Sequence, residues 1–318
     1  MTREAWRLIN RAQRIFLIAH VDPDGDAIGS TLALGYGLRK VGKECTLACS
    51  DPVPRSLSFL PGVEEFGSPP VDDHDLVITV DVSDLRRLGP AYKDVPTMGF
   101  PVLNIDHHVT NTGFGTVNLV RPEAAATAEI VFDLLTGGMV EIDRLLATYL
   151  LTGIVTDTRS FSTANTTPRA LEISSQLVRA GAPLTEINDN YYQRKDLGTL
   201  RLWGRMLEQM QLDGRVVWST NTLEMRKELR AESDDGDGIV NLLATADRAV
   251  AAIVFKERAN GQIEISIRSR ADYDISPIAV HFGGGGHPQA AGAMLNGSLE
   301  TAIPTVLAKA REVLDSRA

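Results

Sequence analysis

Two cysteines are all that the 318 residues contain, which excludes a disulfide-built scaffold. Cys45 and Cys49 fall four apart in one predicted strand, on one face but two pleat repeats from each other, too far for a good disulfide. Both are read as reduced core thiols. Long apolar runs are missing too: none approaches the ~20 residues that span a bilayer, so no membrane partner is expected. Residues 1–14 are basic and amphipathic but have neither an apolar signal region nor a small-residue cleavage site, and a cytoplasmic protein is expected. Excess positive charge is the third absence. Lys+Arg number 32 against 41 Asp+Glu, a net charge of -9, and acids outnumber bases in both halves of the chain. Tight binding of long duplex nucleic acid needs a broad cationic surface and is excluded. A small anionic ligand is not, because bound metal ions reverse a local field. Internal repeats and low-complexity tracts are also absent.

What is there suits a soluble globular protein with room for two domains: 43% hydrophobic and 23% charged residues. The most informative stretch is Leu103-Asn104-Ile105-Asp106-His107-His108. An apolar run over 101–105 predicts a short buried strand, and it stops at one acid and two imidazoles, donors that suit a hard or borderline divalent ion. Two other predicted strands end in the same way. The strand over 14–20 runs into His20-Val21-Asp22-Pro23-Asp24-Gly25-Asp26, and the strand over 75–80 into Asp81. In an open parallel α/β sheet, ligands bind at the carboxyl ends of the strands.

The remaining pattern predicts a helix over 27–41, a strand over 44–49, and helices over 125–135, 143–155 and 168–179. Asp157 closes the second of these three; a lone Asp at a helix end is usually a cap. Polar connecting helices follow over 184–212. Beyond them come strands over 215–220, 249–257 and 262–268, a helix over 237–246, the Gly-rich turn Gly283-Gly284-Gly285-Gly286-His287, a strand over 289–295 and a final helix over 300–315. The acidic loop at 233–237 reads as a helix start rather than a calcium site, since no later Glu has the required spacing. The expected fold is α/β: an N-terminal parallel-sheet domain (residues 1–185), a helical linker (186–212) and a smaller mixed α+β domain (213–318).

His20, Asp24, Asp26, Asp81, Asp106, His107 and His108 form a set of acids that cannot all stay ionised in one cleft without cations. Two divalent metal ions sharing a bridging carboxylate answer that requirement. Mixed Asp/His ligation without cysteine suits Mn²⁺, with Mg²⁺ or Co²⁺ as substitutes. Such a pair activates a water and holds both ends of an in-line displacement at phosphorus. His74 and His281 are read as ordinary packing or surface residues.

In order along the chain, His20 to Ser30, Asp81, Asp106-His107-His108, Asp157 and Gly283 to His287 resemble the motifs of the DHH phosphoesterases that carry the DHH-associated C-terminal domain, and within them the bacterial nanoRNase group. The resemblance covers nearly the whole chain. It implies that His20 and Asp24 hold one metal, that Asp26, His107 and Asp157 hold the other, and that Asp81 bridges them. It further implies that Asp106 orients a histidine and that His108 faces the scissile phosphate as charge stabiliser or proton donor. Asp22 falls on a variable position of the motif. Arg268 and Arg270, an alternating pair at a strand end, suit bidentate phosphate binding. With the backbone N–H groups of Gly284, Gly285 and Gly286 and the His287 side chain, they would grip the terminal nucleotide. The implied substrates are short single-stranded RNA or dinucleotides and nucleoside bisphosphates such as 3′-phosphoadenosine 5′-phosphate, with cyclic di-AMP in some members. A manganese pyrophosphatase or short-chain polyphosphatase shares the N-terminal motifs but would carry an Arg-Lys-Lys-type signature that is absent here. A non-catalytic nucleotide-binding regulatory module would be marked by a lost ligand. An exposed apolar helix between 124 and 180 could make a homodimer.

Overall fold

A computed structural model describes residues 1–95, 98–231, 238–270 and 272–315. It divides into two units, Met1–Arg194 and Lys195–Ala318. The first begins with helix α1 (Thr2–Arg11) and strand β1 (Arg14–Ala19). Helix α2 (Gly25–Lys40) and strands β2 (Glu44–Ala48), β3 (Leu76–Val80), β4 (Val102–Asp106) and β5 (Val117–Val120) follow. The five strands are all parallel, in the order β2-β1-β3-β4-β5. Strand order reverses between β1 and β3, so the residues leaving those two strands, His20 and Asp81, flank the crevice where such sheets bind ligands.

Strand side chains alternate between two cores, as a period of two dictates for a sheet covered on both faces. Ile15, Leu17, Ile78, Leu103 and Ile105 face a helical layer of α2, α3 (Thr127–Gly137), α4 (Arg144–Asp157) and α5 (Pro168–Arg179). Phe16, Ile18, Val77 and Val102 face Val82, Leu88, Tyr92 and Val95 on the other side. Helices α3 and α4 bury most of their apolar side chains, and exposed apolar residues in this layer, Leu171 and Val178, lie on α5. Cys45 lies in β2, while Cys49 lies just beyond it and donates to the His20 carbonyl at 3.1 Å. Both thiols are free, and burial pushes them up, to about 12 and about 11. The first unit closes with α6 (Leu184–Asn188) and a π-turn at Asp189–Gln193.

The second unit holds α7 (Leu197–Glu208), β6 (Gln211–Asp213), β7 (Val216–Asn221), α8 (Leu223–Leu229), α9 (Ile239–Leu243), β8 (Ala251–Glu257) and β9 (Gln262–Ser269). It ends with α10 (Ser276–His281), β10 (Gly285–His287), β11 (Ala290–Asn296) and α11 (Leu299–Asp315). Its six-stranded sheet runs β10-β11-β9-β8-β7-β6, and only β7 and β8 pair in parallel. The acidic loop at 233–237 and the expected start of a helix at 237 lie outside the described residues. The Gly-rich segment is not simply a turn: its last three residues form edge strand β10. A Cβ on Gly284 or Gly286 would meet Gly292 O at 2.0 Å or Ala290 O at 2.4 Å, so both glycines let β10 approach β11. Among the described residues, no helix is long and apolar enough to cross a membrane.

Candidate active site

The site assembles where β1, β3, β4 and α4 end and where α2 and α3 begin. Asp24 is the N-cap of α2 and accepts from the Asp26 and Ala27 N–H groups at 3.0 Å each, which starts the helix two residues earlier than periodicity predicts. Asp26, the second residue of the helix, is fully buried. Helix α3 has Ala126 at its N-cap and no side-chain cap of its own. Asp26 supplies one from a different helix, with Oδ2 accepting from Thr127 N at 2.6 Å and Oδ1 from Ala128 N at 2.9 Å. A carboxylate at a helix N-terminus is favoured by the exposed amides and the dipole. Ser30 Oγ donates to the same Oδ1 at 3.0 Å.

Asp81 follows β3 with φ +63°, a left-handed conformation uncommon outside glycine and tolerated best by Asn and Asp. Its carboxylate lies at the middle of the cluster. Oδ2 is 3.5 Å from His20 Nε2, and Oδ1 is 3.7 Å from His107 Nε2, 3.6 Å from His108 Nδ1 and 2.7 Å from the donating Thr127 hydroxyl. His20 Nε2 is also 3.8 Å from Asp24, and His107 Nε2 is 3.2 Å from Asp157 Oδ2. His107 Nδ1 lies 3.2 Å from the Ala124 carbonyl; the tautomer that donates there leaves the Nε2 lone pair facing the acids.

Of three candidate donor sets that share Asp81, each lying within 4.8 Å, the first adds His20 and Asp24, the second Asp26 and His107, and the third Asp106 and His108. Asp157 adds a carboxylate beside the second. This all-oxygen-and-nitrogen set fits a pair of divalent cations. Without cations these acids disfavour one another's ionisation: burial first, then Asp81 and Asp157, pushes Asp26 well above the usual carboxylate range, and burial followed by Asp24 and Asp81 does the same to Asp157. Burial also works against ionised Asp81, but the His20 hydrogen bond and the charges of His108 and His107 outweigh it and hold that carboxyl below its usual range.

His108 Nδ1 lies 2.7 Å from Asp106 Oδ1, and Asp106 Oδ2 accepts from Asn111 Nδ2 at 2.5 Å. Burial disfavours a charged His108, yet the Asp106 bond and the charges of Asp81, Asp106 and Asp157 outweigh it and raise the imidazole to about 9. Asp106→Asn removes the largest raising contribution. The alkaline fall of kcat then moves to lower pH, and kcat drops about 10- to 100-fold. A pH–rate profile checks this, and an unmoved alkaline limb would show that Asp106 does not govern His108.

Asp22 is exposed, also in the left-handed region, and its N–H donates to Asp51 Oδ2 at 2.8 Å, away from the donor sets. In the second unit, β pairing puts Arg268 opposite Ala290 and Ala290 opposite His287. All three therefore share one sheet face, with a small residue between two cationic or polar ones. Arg268 Nε donates to Asn241 Oδ1 of α9 at 3.2 Å. Arg270 lies past the end of β9 and its guanidinium donates to the Ala246 and Asp247 carbonyls at 3.1 and 2.8 Å. Gly285 has open space where a Cβ would stand, unlike Gly284 and Gly286. Sequence reasoning gave no role to Thr127, Asn111 and Arg87, whose Nη2 lies 2.8 Å from His20 Nδ1. Thr127 and Arg87 act across the fold, 46 and 67 residues from Asp81 and His20, whereas Asn111 stands only five residues from Asp106.

Residues 14–154 match the model of the DHH family, N-terminal domain, and residues 222–316 match the DHHA1 domain. A bifunctional oligoribonuclease and PAP phosphatase NrnA of Thermus thermophilus is 39% identical over 305 residues, covering 94% of this chain and 90% of its own. The protein of that name from Bacillus subtilis is 28% identical over 303 residues, covering 93% of each chain. The cyclic-di-AMP phosphodiesterase GdpP of Geobacillus thermodenitrificans is 31% identical over 210 residues, 61% of this chain and 30% of that one. The crystal structure of an exopolyphosphatase-related protein from Bacteroides fragilis superposes with a TM-score of 0.90 at 26% identity, over 98% of this chain and 95% of that one.

Proposed function

Because the chain belongs to the DHH family of metal-dependent phosphoesterases, we propose that it hydrolyses short oligoribonucleotides and dinucleotides to mononucleotides. We extend the reading to 3′-phosphoadenosine 5′-phosphate, converted to AMP, and to cyclic di-AMP. The observation that carries it is Asp81, set in a left-handed conformation between His20 at 3.5 Å and His107 at 3.7 Å, so that one carboxylate serves two donor sets.

In this reading His20 and Asp24 would hold one ion, Asp26, His107 and Asp157 would hold the other, and Asp81 would serve both. Asp26 would take part through a carboxylate that already accepts from Ser30 Oγ and from the Thr127 and Ala128 N–H groups. Two bound Mn²⁺ ions, or Mg²⁺ or Co²⁺ in their place, would activate a water and neutralise charge at phosphorus. His108, held charged by Asp106, keeps Nδ1–H on that carboxylate and offers the Nε2 proton to the leaving oxygen. Arg268 and His287, on one sheet face, suit the phosphates of the terminal nucleotide, with Arg270 and Gly284 to Gly286 as further candidate contacts. The domain roles follow: chemistry in the first, substrate grip in the second.

The likeness to an exopolyphosphatase-related protein favours one rival, hydrolysis of pyrophosphate or short polyphosphate. A Mn²⁺ assay with 5′-phosphorylated diadenylate, 3′-phosphoadenosine 5′-phosphate, cyclic di-AMP, pyrophosphate and tripolyphosphate separates the two. Mononucleotide release with inorganic polyphosphates untouched is expected. Rapid turnover of pyrophosphate or tripolyphosphate alone would replace the reading with its rival.

A further inference from the structure

A threonine inside a helix commonly turns its hydroxyl back to the carbonyl four residues earlier. Buried threonines of the helical layer do so: Thr31 donates to the Ala27 carbonyl at 2.7 Å, Thr148 to that of Arg144 at 2.7 Å and Thr152 to that of Thr148 at 2.8 Å. Thr127 differs. It is fully buried and is the first residue of α3, so no helical carbonyl precedes it by four residues. Its hydroxyl donates instead to Asp81 Oδ1 at 2.7 Å, across 46 residues of chain.

Asp81 needs such an anchor. Its left-handed backbone sets where the side chain starts, but the last torsion of an aspartate is broad and leaves the carboxylate plane undetermined. Three imidazoles stand back from that carboxylate at 3.5 to 3.7 Å, wider than a normal hydrogen bond, whereas the Thr127 hydroxyl makes a short one. With Oδ1 fixed by Thr127 on the side of His107, Oδ2 is directed to His20. The main-chain N–H of the same threonine donates to Asp26 Oδ2 at 2.6 Å. One residue therefore aligns two of the acids, and it does so through two different groups. Changing its side chain removes the first hold and keeps the second.

We propose that Thr127 is a positioning residue for the metal centre: its hydroxyl sets the Asp81 carboxylate so that one oxygen faces His20 and the other His107, while its amide keeps Asp26 beside them. The inference rests on the two-ion reading above and adds to it a requirement for a hydroxyl at position 127. Because Asp81 would serve both ions, losing that hydroxyl weakens the binding of both. Outer partners of metal ligands are worth about 10- to 100-fold in affinity.

The test is a calorimetric Mn²⁺ titration of the metal-free full chain, with melting temperatures in chelator to confirm folding. Thr127→Val keeps the size of the side chain and loses the hydroxyl, Thr127→Ser keeps the hydroxyl and loses the methyl, and Thr127→Ala loses both. Affinity should follow the hydroxyl: Thr127→Ser stays close to wild type, while Thr127→Val and Thr127→Ala weaken by about 10- to 100-fold. Thr148→Val, near the start of the helix that ends at Asp157, removes a back-bonded hydroxyl and should leave Mn²⁺ affinity unchanged. Excess Mn²⁺ should restore part of the dinucleotide turnover of Thr127→Val, since ion binding is what that variant loses. Affinity that follows size instead, with Thr127→Val like wild type and Thr127→Ser as weak as Thr127→Ala, makes Thr127 a packing residue and overturns the proposal. If Thr127→Val does not fold, the other two decide: equal weakening in Thr127→Ser and Thr127→Ala overturns it, and weakening in Thr127→Ala alone upholds it. Should wild type bind Mn²⁺ yet cleave none of the nucleotides, the functional reading fails, while these affinities still decide the role of Thr127.

Discussion

Asp81→Asn should abolish turnover and leave the protein folded. The amide keeps the shape of the side chain, can still accept from the Thr127 hydroxyl at 2.7 Å, and tolerates φ +63° as well as the acid does. What it lacks is the charge that two donor sets share. A bound metal contributes several kcal/mol of transition-state charge stabilisation, so kcat/KM on a dinucleotide should fall at least about a thousand-fold. Asp81→Ala should lose activity equally but also some stability, about 1–2 kcal/mol, because an alanine gains nothing locally from the left-handed region. Urea unfolding in chelator, run beside the Mn²⁺ assay, separates these effects. Asp81→Asn retaining more than about a tenth of wild-type kcat/KM would remove Asp81 from the bridging position. A stability loss as large as that of Asp81→Ala would refute the backbone argument.

The second large effect comes from glycines that have no chemistry. Helices α2 and α4 meet at Gly29 and Gly153. A Cβ on Gly29 would lie 2.6 Å from the Tyr149 carbonyl, and one on Gly153 would lie 2.5 Å from Asp26 Oδ1 and 2.6 Å from the Ala128 Cβ. Real Cβ atoms do not come that close, so the helices must separate or Asp26 must leave the α3 N-terminus. Ordinarily Gly→Ala inside a helix stabilises by about 0.5–1 kcal/mol. Here overpacking should reverse the sign, with about 1–3 kcal/mol lost for each substitution. Gly153→Ala should in addition lower kcat/KM about a hundred-fold, since misplacing a reacting group by ~1 Å has that effect. Gly204→Ala in α7 is the internal comparison: nothing lies within 4 Å of its Cβ position, and it should stabilise by about 0.5–1 kcal/mol. Denaturant melts of the three variants, with Mn²⁺ titrations of the first two, check the set. Equal stabilisation in all three would mean the α2–α4 contact is looser than described.

Much of this architecture is legible from residues alone because the first unit is a parallel sheet. Its strands are buried on both faces, so β1, β3 and β4 appear as short apolar runs, and each ends at an acid or a histidine. His20, Asp24, Asp26, Asp81, His107 and Asp157 are brought together by that regularity. Strand β5 escaped notice because four residues, Val117–Val120, with an asparagine among them, carry too little pattern. The mixed sheet was harder. Strand β10 is three residues of Gly-Gly-His, indistinguishable locally from a turn, and α8 and α10 are only seven and six residues long. Within the site, what stayed hidden is what depends on distant partners. Asp26 caps a helix that begins 101 residues later, Thr127 reaches back 46 residues to Asp81, and Arg87 reaches His20 across 67 residues. Spacing along the chain carries no trace of such contacts.

The long closure between Asp26 and α3 also sets a schedule for the protein's own synthesis. Contacts spanning about a hundred residues form late, because the chain entropy of closing so large a loop must be overcome before the contact is rewarded. As the ribosome delivers the chain, β1, β2 and β3 emerge with Asp24, Asp26 and Asp81 already present but with no α3 amides to receive Asp26 and no Asp157 to complete the second donor set. A nascent chain of ~110 residues would therefore be an acidic, half-built sheet with an open β4 edge, the kind of species prone to mispairing. On the proposed reading, cations could fill both donor sets only after α4 has been made, and by binding the native state more tightly than the unfolded chain they would pull the folding equilibrium forward. Divalent ions would then act on this protein twice: as an assembly aid once the last acid has appeared, and as a reagent for the rest of its life.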